Sequence, residues 1–288
     1  MKHLSVFTTH VFNIELSNYS DVITIVPFGD VHRFAPNCDT DRWKWFLNKA
    51  KTYENAYFLG MGDYMDFASA REGEKLKSIG LHETTMETLE DLVEKQNRAF
   101  AGEISFMRDR LIGLIGGNHT WINSQGITSD ESIANRLGTK YLGWLSVIKL
   151  RITFKGCGTK VSVYLIPCHG LGGGRVLGAS VRKVEDLFQV FPFGDVYLMG
   201  HDHNRGAWPQ PRLIPIEKNN GTIKMKQQRQ FFCRTGSFQK SYEEGTSGYA
   251  TGRLMRPADL GTMKIQISFH RDRTKGDERL ITDIEATI

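Results

Sequence analysis

Cysteine is scarce in this 288-residue chain: Cys38, Cys157, Cys168 and Cys233 are scattered and show no C-x-x-C spacing. Four such thiols are too few to staple a domain of this size, which excludes a disulfide scaffold. Long apolar runs are missing as well. A membrane-spanning helix needs about 18 consecutive apolar residues, and Val22–Phe28 is short and broken by Pro27. The first ten residues hold neither the apolar core nor the small-residue cleavage site of a secretory leader, so a cytoplasmic location without membrane contact is expected. No internal repeat, low-complexity tract or Pro/Ser-rich linker occurs.

What is present is ordinary globular material: 40% hydrophobic, 11% aromatic and 24% charged residues. At roughly 150 residues per domain the length allows one or two domains with a real core. The charge is unevenly placed. Lys and Arg number 37 against 32 Asp and Glu, a net +5. Residues 204–288 carry 15 basic and 9 acidic side chains (+6), leaving 22 and 23 (−1) before them. The basic excess centres on Lys218, Lys224, Lys226, Arg229, Arg234 and Lys240. It reads either as a surface for a polyanion or as the solvated faces of a few strands.

One pattern recurs along the chain, an apolar run ending in glycine and then in ligand-type residues. Val22–Phe28 leads to Gly29, Asp30 and His32; Ala56–Leu59 leads to Gly62, Asp63 and Asp66; and Leu111–Ile115 leads to Gly117, Asn118 and His119. Val161–Ile166 then leads to His169, and Val196–Met199 to Gly200, His201 and His203. These runs read as buried strands. Helical periodicity separates them at about Thr40 to Ala50, Glu83 to Met107, Ser129 to Leu137 and Val181 to Phe188. Strands alternating with helices predict an α/β fold of layered mixed sheets flanked by helices. After His203 only strands are expected, including a hairpin of Leu213–Ile216 with Thr222–Met225 around Asn220-Gly221. The whole chain, 1–288, reads as a single domain, with 204–288 as closing antiparallel strands.

Ligands of open α/β sheets bind at the carboxyl ends of strands. Five of the nine histidines fall at these predicted ends, whereas His3, His10, His82 and His270 do not. Carboxylates and imidazoles converging there are costly to bury unless a cation neutralises them.

These residues, in this order, resemble the motif set of the calcineurin-like metallophosphoesterases: D-x-H, G-D-x-x-D, G-N-H, an isolated H and G-H-x-H. They stand here as Asp30-Val31-His32, Gly62-Asp63-Tyr64-Met65-Asp66, Gly117-Asn118-His119, His169 and Gly200-His201-Asp202-His203. The resemblance spans about Val22 to Asn204. Thr235–Phe238 and Tyr249-Ala250 look like the closing strands of stand-alone, often phage-borne, members.

The resemblance implies a four-layer sandwich carrying two divalent metals at the strand ends. One would be held by Asp30, His32, Asp63 and His203, the other by Asp63, Asn118, His169 and His201. A carboxylate has two oxygens and can bridge, and a mixed imidazole–carboxylate set suits Mn, Fe, Zn or Ni better than Mg or Ca, with Mn the first expectation. It further implies hydrolysis of a phosphate ester by in-line attack of a shared water. His119 would protonate the leaving oxygen and Asp66 would hold His119, although an aspartate at that place also suits a turn or a helix cap.

The chain departs from the pattern at Phe67, where phosphoprotein phosphatases of this family carry an arginine for a dianionic phosphate, and at Thr120, where many relatives carry an acid. Without that arginine a phosphodiester is the better-matched substrate, nucleotide or nucleic acid given the basic last third. A phosphomonoesterase on a nucleotide, sugar or phosphoprotein and a non-catalytic scaffold are the alternatives. Arg33, Arg175, Arg205 and His82 are candidate substrate contacts, and residues 68–82 read as a substrate rim or a plain solvated loop. Gly170–Arg175 either leads into a phosphate-binding helix start or gives clearance past the metals. Oligomeric state is not legible.

Overall fold

The structure, a computed structural model, describes residues 6–67, 82–172, 176–217, 221–242, 244, 252, 254, 256–274 and 277–288. In chain order the strands are β1 (Phe7–Leu16), β2 (Ile23–Phe28), β3 (Ala56–Gly60), β4 (Leu111–Leu114), β5 (Leu145–Phe154), β6 (Cys157–Cys168), β7 (Val196–Met199), β8 (Arg205–Glu217), β9 (Ile223–Thr235), β10 (Lys264–Thr274) and β11 (Asp277–Thr287). The helices are α1 (Thr40–Lys51), α2 (Glu83–Ile104), α3 (Ser129–Leu137) and α4 (Leu177–Val190). They form two mixed sheets, ordered β1-β5-β6-β7-β9-β8 and β11-β10-β2-β3-β4.

Alternation along the strands builds the layers. Ile23, Ile25 and Leu59 of one sheet and Leu165, Val196 and Leu198 of the other belong to one buried cluster between the sheets. Their neighbours Val26, Phe28 and Phe58 face α1, α2 and α3, packing on Trp43, Phe46, Phe100 and Ile133. Ile166, Tyr197 and Met199 face α4 through Val184 and Leu187. Helix, sheet, sheet and helix therefore stack as four layers, the α/β class expected from the alternating runs.

Most local signals hold at the helix ends. Asp39 accepts the Arg42 amide at 2.9 Å and starts α1, where Thr40 or Asp41 would be the cap read from the sequence. Thr128 accepts the Glu131 amide at 3.1 Å and starts α3, which ends on Gly138 in the left-handed region. α2 stops at Ile104 and continues as a 3-10 turn over Ser105–Arg110, and its buried stripe runs through Val93, Asn97, Phe100 and Ile104.

The last third closes both sheets rather than one. β8 and β9 pair over thirteen residues each and extend the first sheet, with β9 parallel to β7. Within 204–288 the pairs β8–β9 and β10–β11 are antiparallel, and β9 joins the first sheet by running parallel to β7. β8 is the outer strand, and its prolines at 209, 211 and 215 share one parity, as suits a free edge. β10 and β11 are antiparallel and extend the second sheet; β10 pairs only with Ile23–Ile25 of β2, so Pro27 falls beyond that ladder. The Asn220 turn, residues 68–81 of the expected rim, Arg175, and Tyr249-Ala250 lie outside the described residues. Among the described residues no helix is long and apolar enough to cross a membrane.

Candidate metal centre

Within each sheet the site-bearing strands are parallel: β2 with β3, β3 with β4, and β6 with β7. Their carboxyl ends open on one rim, where five loops carry Asp30 and His32, Asp63 and Asp66, Asn118 and His119, His169, and His201 and His203. The first two loops are zipped together by backbone. Asp30 N donates to Gly62 O at 2.9 Å, and the amides of Val31 and His32 donate to Asp63 O at 2.9 and 3.0 Å. The G-H-x-H loop joins them through the His201 amide, which donates to both Asp30 carboxylate oxygens at 3.0–3.1 Å. The G-N-H loop joins through the His119 amide on Asp63 Oδ1 at 2.9 Å.

Such convergence bends the chain. Asp30, His32, Asp63, His201 and His203 all have φ between 46° and 70°, a region that non-glycine residues seldom occupy. Glycine is required where backbones meet: a Cβ on Gly117 would run into the Asp63 carboxylate and amide, and one on Gly62 would lie 2.6 Å from His169 Nδ1.

The side chains gather into two groups about Asp63. On one side His32, His203 and Asp30 meet; on the other Asp63, His169 and His201. Asp63 Oδ2 faces both, 3.8 Å from His32 Nε2 and 3.2 Å from His169 Nε2. Asn118 Oδ1 lies 2.9 Å from His169 Nε2 and 2.6 Å from His201 Nδ1. His32 Nε2 is 3.3 Å from His203 Nε2, and Asp30 Oδ1 is 3.6 Å from that same His203 nitrogen. The outer ring nitrogens are committed elsewhere: His169 Nδ1 donates to Met61 O at 2.8 Å, and His32 Nδ1 lies 3.1 Å from Asp66 Oδ1. Those bonds fix the tautomers and turn lone pairs inward.

Charge in this buried rim is correspondingly displaced. Burial raises the Asp30 carboxyl to about 7, against the opposing pull of His169. Burial acts on Asp63 in the same sense, but the His169 and His32 imidazoles outweigh it and hold that carboxyl well below the usual range. Burial would lower His169, yet Asp63 and Asp30 raise it to about 9. His201 drops to about 4, and His203 also falls well below the usual imidazole value, through burial and neighbouring imidazoles. A proton on His169 therefore stands among acceptors that a cation would satisfy together. Carboxylate, amide and imidazole atoms converge here at 2.6–3.8 Å, a mixed donor set whose chemistry fits divalent cations.

His119 and Asp66 sit at the solvent side, their side chains 34% and 31% exposed, with Nδ1 to Oδ1 at 2.9 Å. Burial alone would lower His119, but Asp66 and Asp63 raise it to about 9, so it carries a proton at neutral pH. Asp66, which desolvation would raise, is driven far below its usual value by His119 and His32. It faces both rings, a sharing that the spacing of the motifs does not reveal.

The candidate substrate contacts are placed differently. Arg33 is held by Glu103, with Nε and Nη2 at 3.0 and 2.8 Å from Oε1. Arg205 is held by Asp259 at 2.9–3.0 Å and donates to Thr262 O. His82 precedes the first turn of α2, exposed, with Nδ1 2.9 Å from Thr84 Oγ1. Phe67, in the arginine's place, packs against the cluster of Phe28, Trp43 and Phe100. Thr120 is buried, its hydroxyl 2.7 Å from Ser129 Oγ.

Two groups escape a reading by motif. Asp130 is buried behind the G-N-H loop and accepts the Gly117 amide at 2.7 Å, its carboxyl raised to about 7 by burial. Arg234 is fully buried behind the G-H-x-H loop. The one signal for either was a charged residue on a periodic apolar face.

No family model matches the chain, and no curated protein matches it. Among solved structures it is similar to Vps29 of Chaetomium thermophilum at 12% identity and a TM-score of 0.37, over 92% of this chain and 96% of that one. Vps29 of Entamoeba histolytica, crystallised with zinc, aligns at 11% identity and 0.37 over 91% and 99%. GAP50, the anchor in the inner membrane complex of Plasmodium, aligns at 11% identity and 0.37 over 93% and 89%. These are distant likenesses of shape and carry nothing about activity.

Proposed function

We propose that this protein is a two-metal phosphoesterase that prefers phosphodiesters, with a nucleotide or nucleic acid as substrate. The observation carrying this reading is Asp63 Oδ2 facing two separate donor groups, at 3.8 and 3.2 Å from their nearest imidazole nitrogens. Asp30, His32 and His203 would hold one cation with Asp63, and Asn118, His169 and His201 the other. Manganese, iron, zinc or nickel suits these donors. Such a pair supplies Lewis acidity to the phosphoryl group and acidifies a water for attack.

The chain's own residues do the rest. His119, protonated and partly exposed, is placed to give its proton to the departing ester oxygen. Asp66 keeps that ring oriented and charged; a cation at Asp63 offsets that carboxylate's pull, leaving Asp66 as the principal partner.

Phe67 and the carboxylate-bound Arg33 and Arg205 support a substrate with one negative charge. Among the described residues, the two guanidiniums nearest to ligand motifs in the chain already face Glu103 and Asp259. A phosphomonoester dianion needs more positive charge than that arrangement offers.

The test is hydrolysis of bis-nitrophenyl phosphate against nitrophenyl phosphate by metal-free protein resupplied with Mn²⁺, Ni²⁺ or Zn²⁺. Faster turnover of the diester is expected. A strong monoester preference overturns the diester reading, and metal uptake without any hydrolysis leaves a binding scaffold.

A further inference from the structure

The G-H-x-H loop, residues 200–203, must hold His201 and His203 at φ of 70° and 59°. Non-glycine residues in that region cost on the order of 1–3 kcal/mol each and persist only when their surroundings over-determine them. Asp202, between the two histidines, turns the other way. Its Oδ1 accepts the Asn204 amide at 3.1 Å and its Oδ2 takes the Ser180 hydroxyl of α4. Arg234 is fully buried at the end of β9, directly beside Met199 at the end of β7. Its Nε lies 3.2 Å from Asp202 Oδ2 and donates to Ser180 O at 3.0 Å, and its Nη1 donates to Gly200 O at 2.7 Å. One planar fork thus grips the residue before His201, the residue between the histidines and the helix behind them. Among the described residues its Nη2 finds no hydrogen-bond partner. Buried ion pairs contribute little net stability, since desolvation offsets their attraction, whereas removing one partner leaves the other charge buried and uncompensated.

From this clamp we infer that Arg234 is a positioning residue for both metal sites, holding His201 and His203 at their ligating angles through Asp202, Ser180 and Gly200. The inference rests on the metal reading above and adds a residue that lies outside the motif set. Of the basic residues that made the last third positive, Arg234 therefore serves the site from beneath.

The test uses the full-length protein and the variants Arg234→Met, Arg234→Lys and Asp202→Asn. Each is measured for Mn²⁺ binding by equilibrium dialysis, for the visible spectrum of its Co²⁺ form, and for cooperative melting. Loss of a group that orients metal ligands typically costs 10–100-fold in affinity. We expect Mn²⁺ binding to weaken at least tenfold in Arg234→Met, with an altered Co²⁺ spectrum. Arg234→Lys should recover part of the loss, because it keeps the charge on Asp202 but not the fork. Folded Arg234→Met with wild-type affinity and spectrum overturns the inference. If that variant does not fold, Arg234→Lys and Asp202→Asn decide: folded, with unchanged affinity and spectrum, they reduce Arg234 to a purely structural role. Failure of the unmodified protein to bind Mn²⁺ or Co²⁺ overturns the metal reading itself, a distinguishable result.

Discussion

At the scale of single residues, the rim is ordered by atoms that face two ways. Asp63 offers Oδ1 to the His119 amide and Oδ2 to His32 and His169, so it supports a loop as well as the site. Asp63→Ala should remove metal from both positions and abolish hydrolysis; metal analysis showing one cation retained in full would refute the shared carboxylate. Asp63→Asn keeps the shape and should lose most metal as well, which separates the charge from the fold. His119 stands apart from the Asp30–His32–His203 and Asp63–His169–His201 groups, gathering instead with Asp66 and His32 at the solvent side. His119→Ala should therefore keep its metals and slow hydrolysis by roughly 10²–10⁴-fold for poor leaving groups. For a nitrophenolate, which departs without a proton, the loss should be much smaller. Equal losses across a series of leaving groups would remove the general-acid role.

At the scale of elements, the loops that bear the site were legible because each follows strand residues buried on both faces, in β6 only its last four. Such strands read as continuous apolar runs, and the glycine and ligand that follow mark the carboxyl end. β5 and β1 follow a different rule. Ile148, Leu150, Ile152 and Phe154 of β5 are buried, while Lys149, Arg151 and Thr153 alternate with them toward solvent. Alternation of that kind dilutes an apolar run until it no longer looks like one. Supporting residues were hidden for a related reason, since a buried Asp130 or Arg234 looks like any charged residue until its partners are known. α3 shows the consequence. Thr128 caps it and Asp130, in its first turn, accepts the Gly117 amide. Thr128→Ala should cost about 1 kcal/mol of stability and leave metal affinity nearly intact. Asp130→Ala strands the Gly117 amide at a cost of about 1–3 kcal/mol and should weaken metal binding as well, because Gly117 precedes Asn118. Denaturant melts paired with Mn²⁺ titrations distinguish the two, and equal metal affinities in both variants would show that α3 does not support the site.

At the scale of the molecule, the two sheets meet the solvent at a rim where carboxylates and imidazoles were brought together against their own electrostatics. Burial displaces Asp30 to about 7, so its charge is disfavoured in the metal-free rim, while Asp63 and Asp30 raise His169 to about 9 and hold there a proton whose place a cation would take. Since β2, β3 and β4 end there from one sheet and β6 and β7 from the other, any relief of that conflict acts across the interface between sheets. A ligand that binds only the folded rim stabilises it by about 2.7 kcal/mol at a concentration one hundred times its dissociation constant. For a chain of this size that corresponds to a rise in melting temperature of roughly 4–5 °C. Mn²⁺ added to chelator-treated protein should produce that rise, and excess chelator should reverse it. Asp63→Asn, which lacks the shared charge, should show little or none. If wild type and Asp63→Asn gain equally, the cation is acting elsewhere on the surface, and the rim does not join the two sheets through metal.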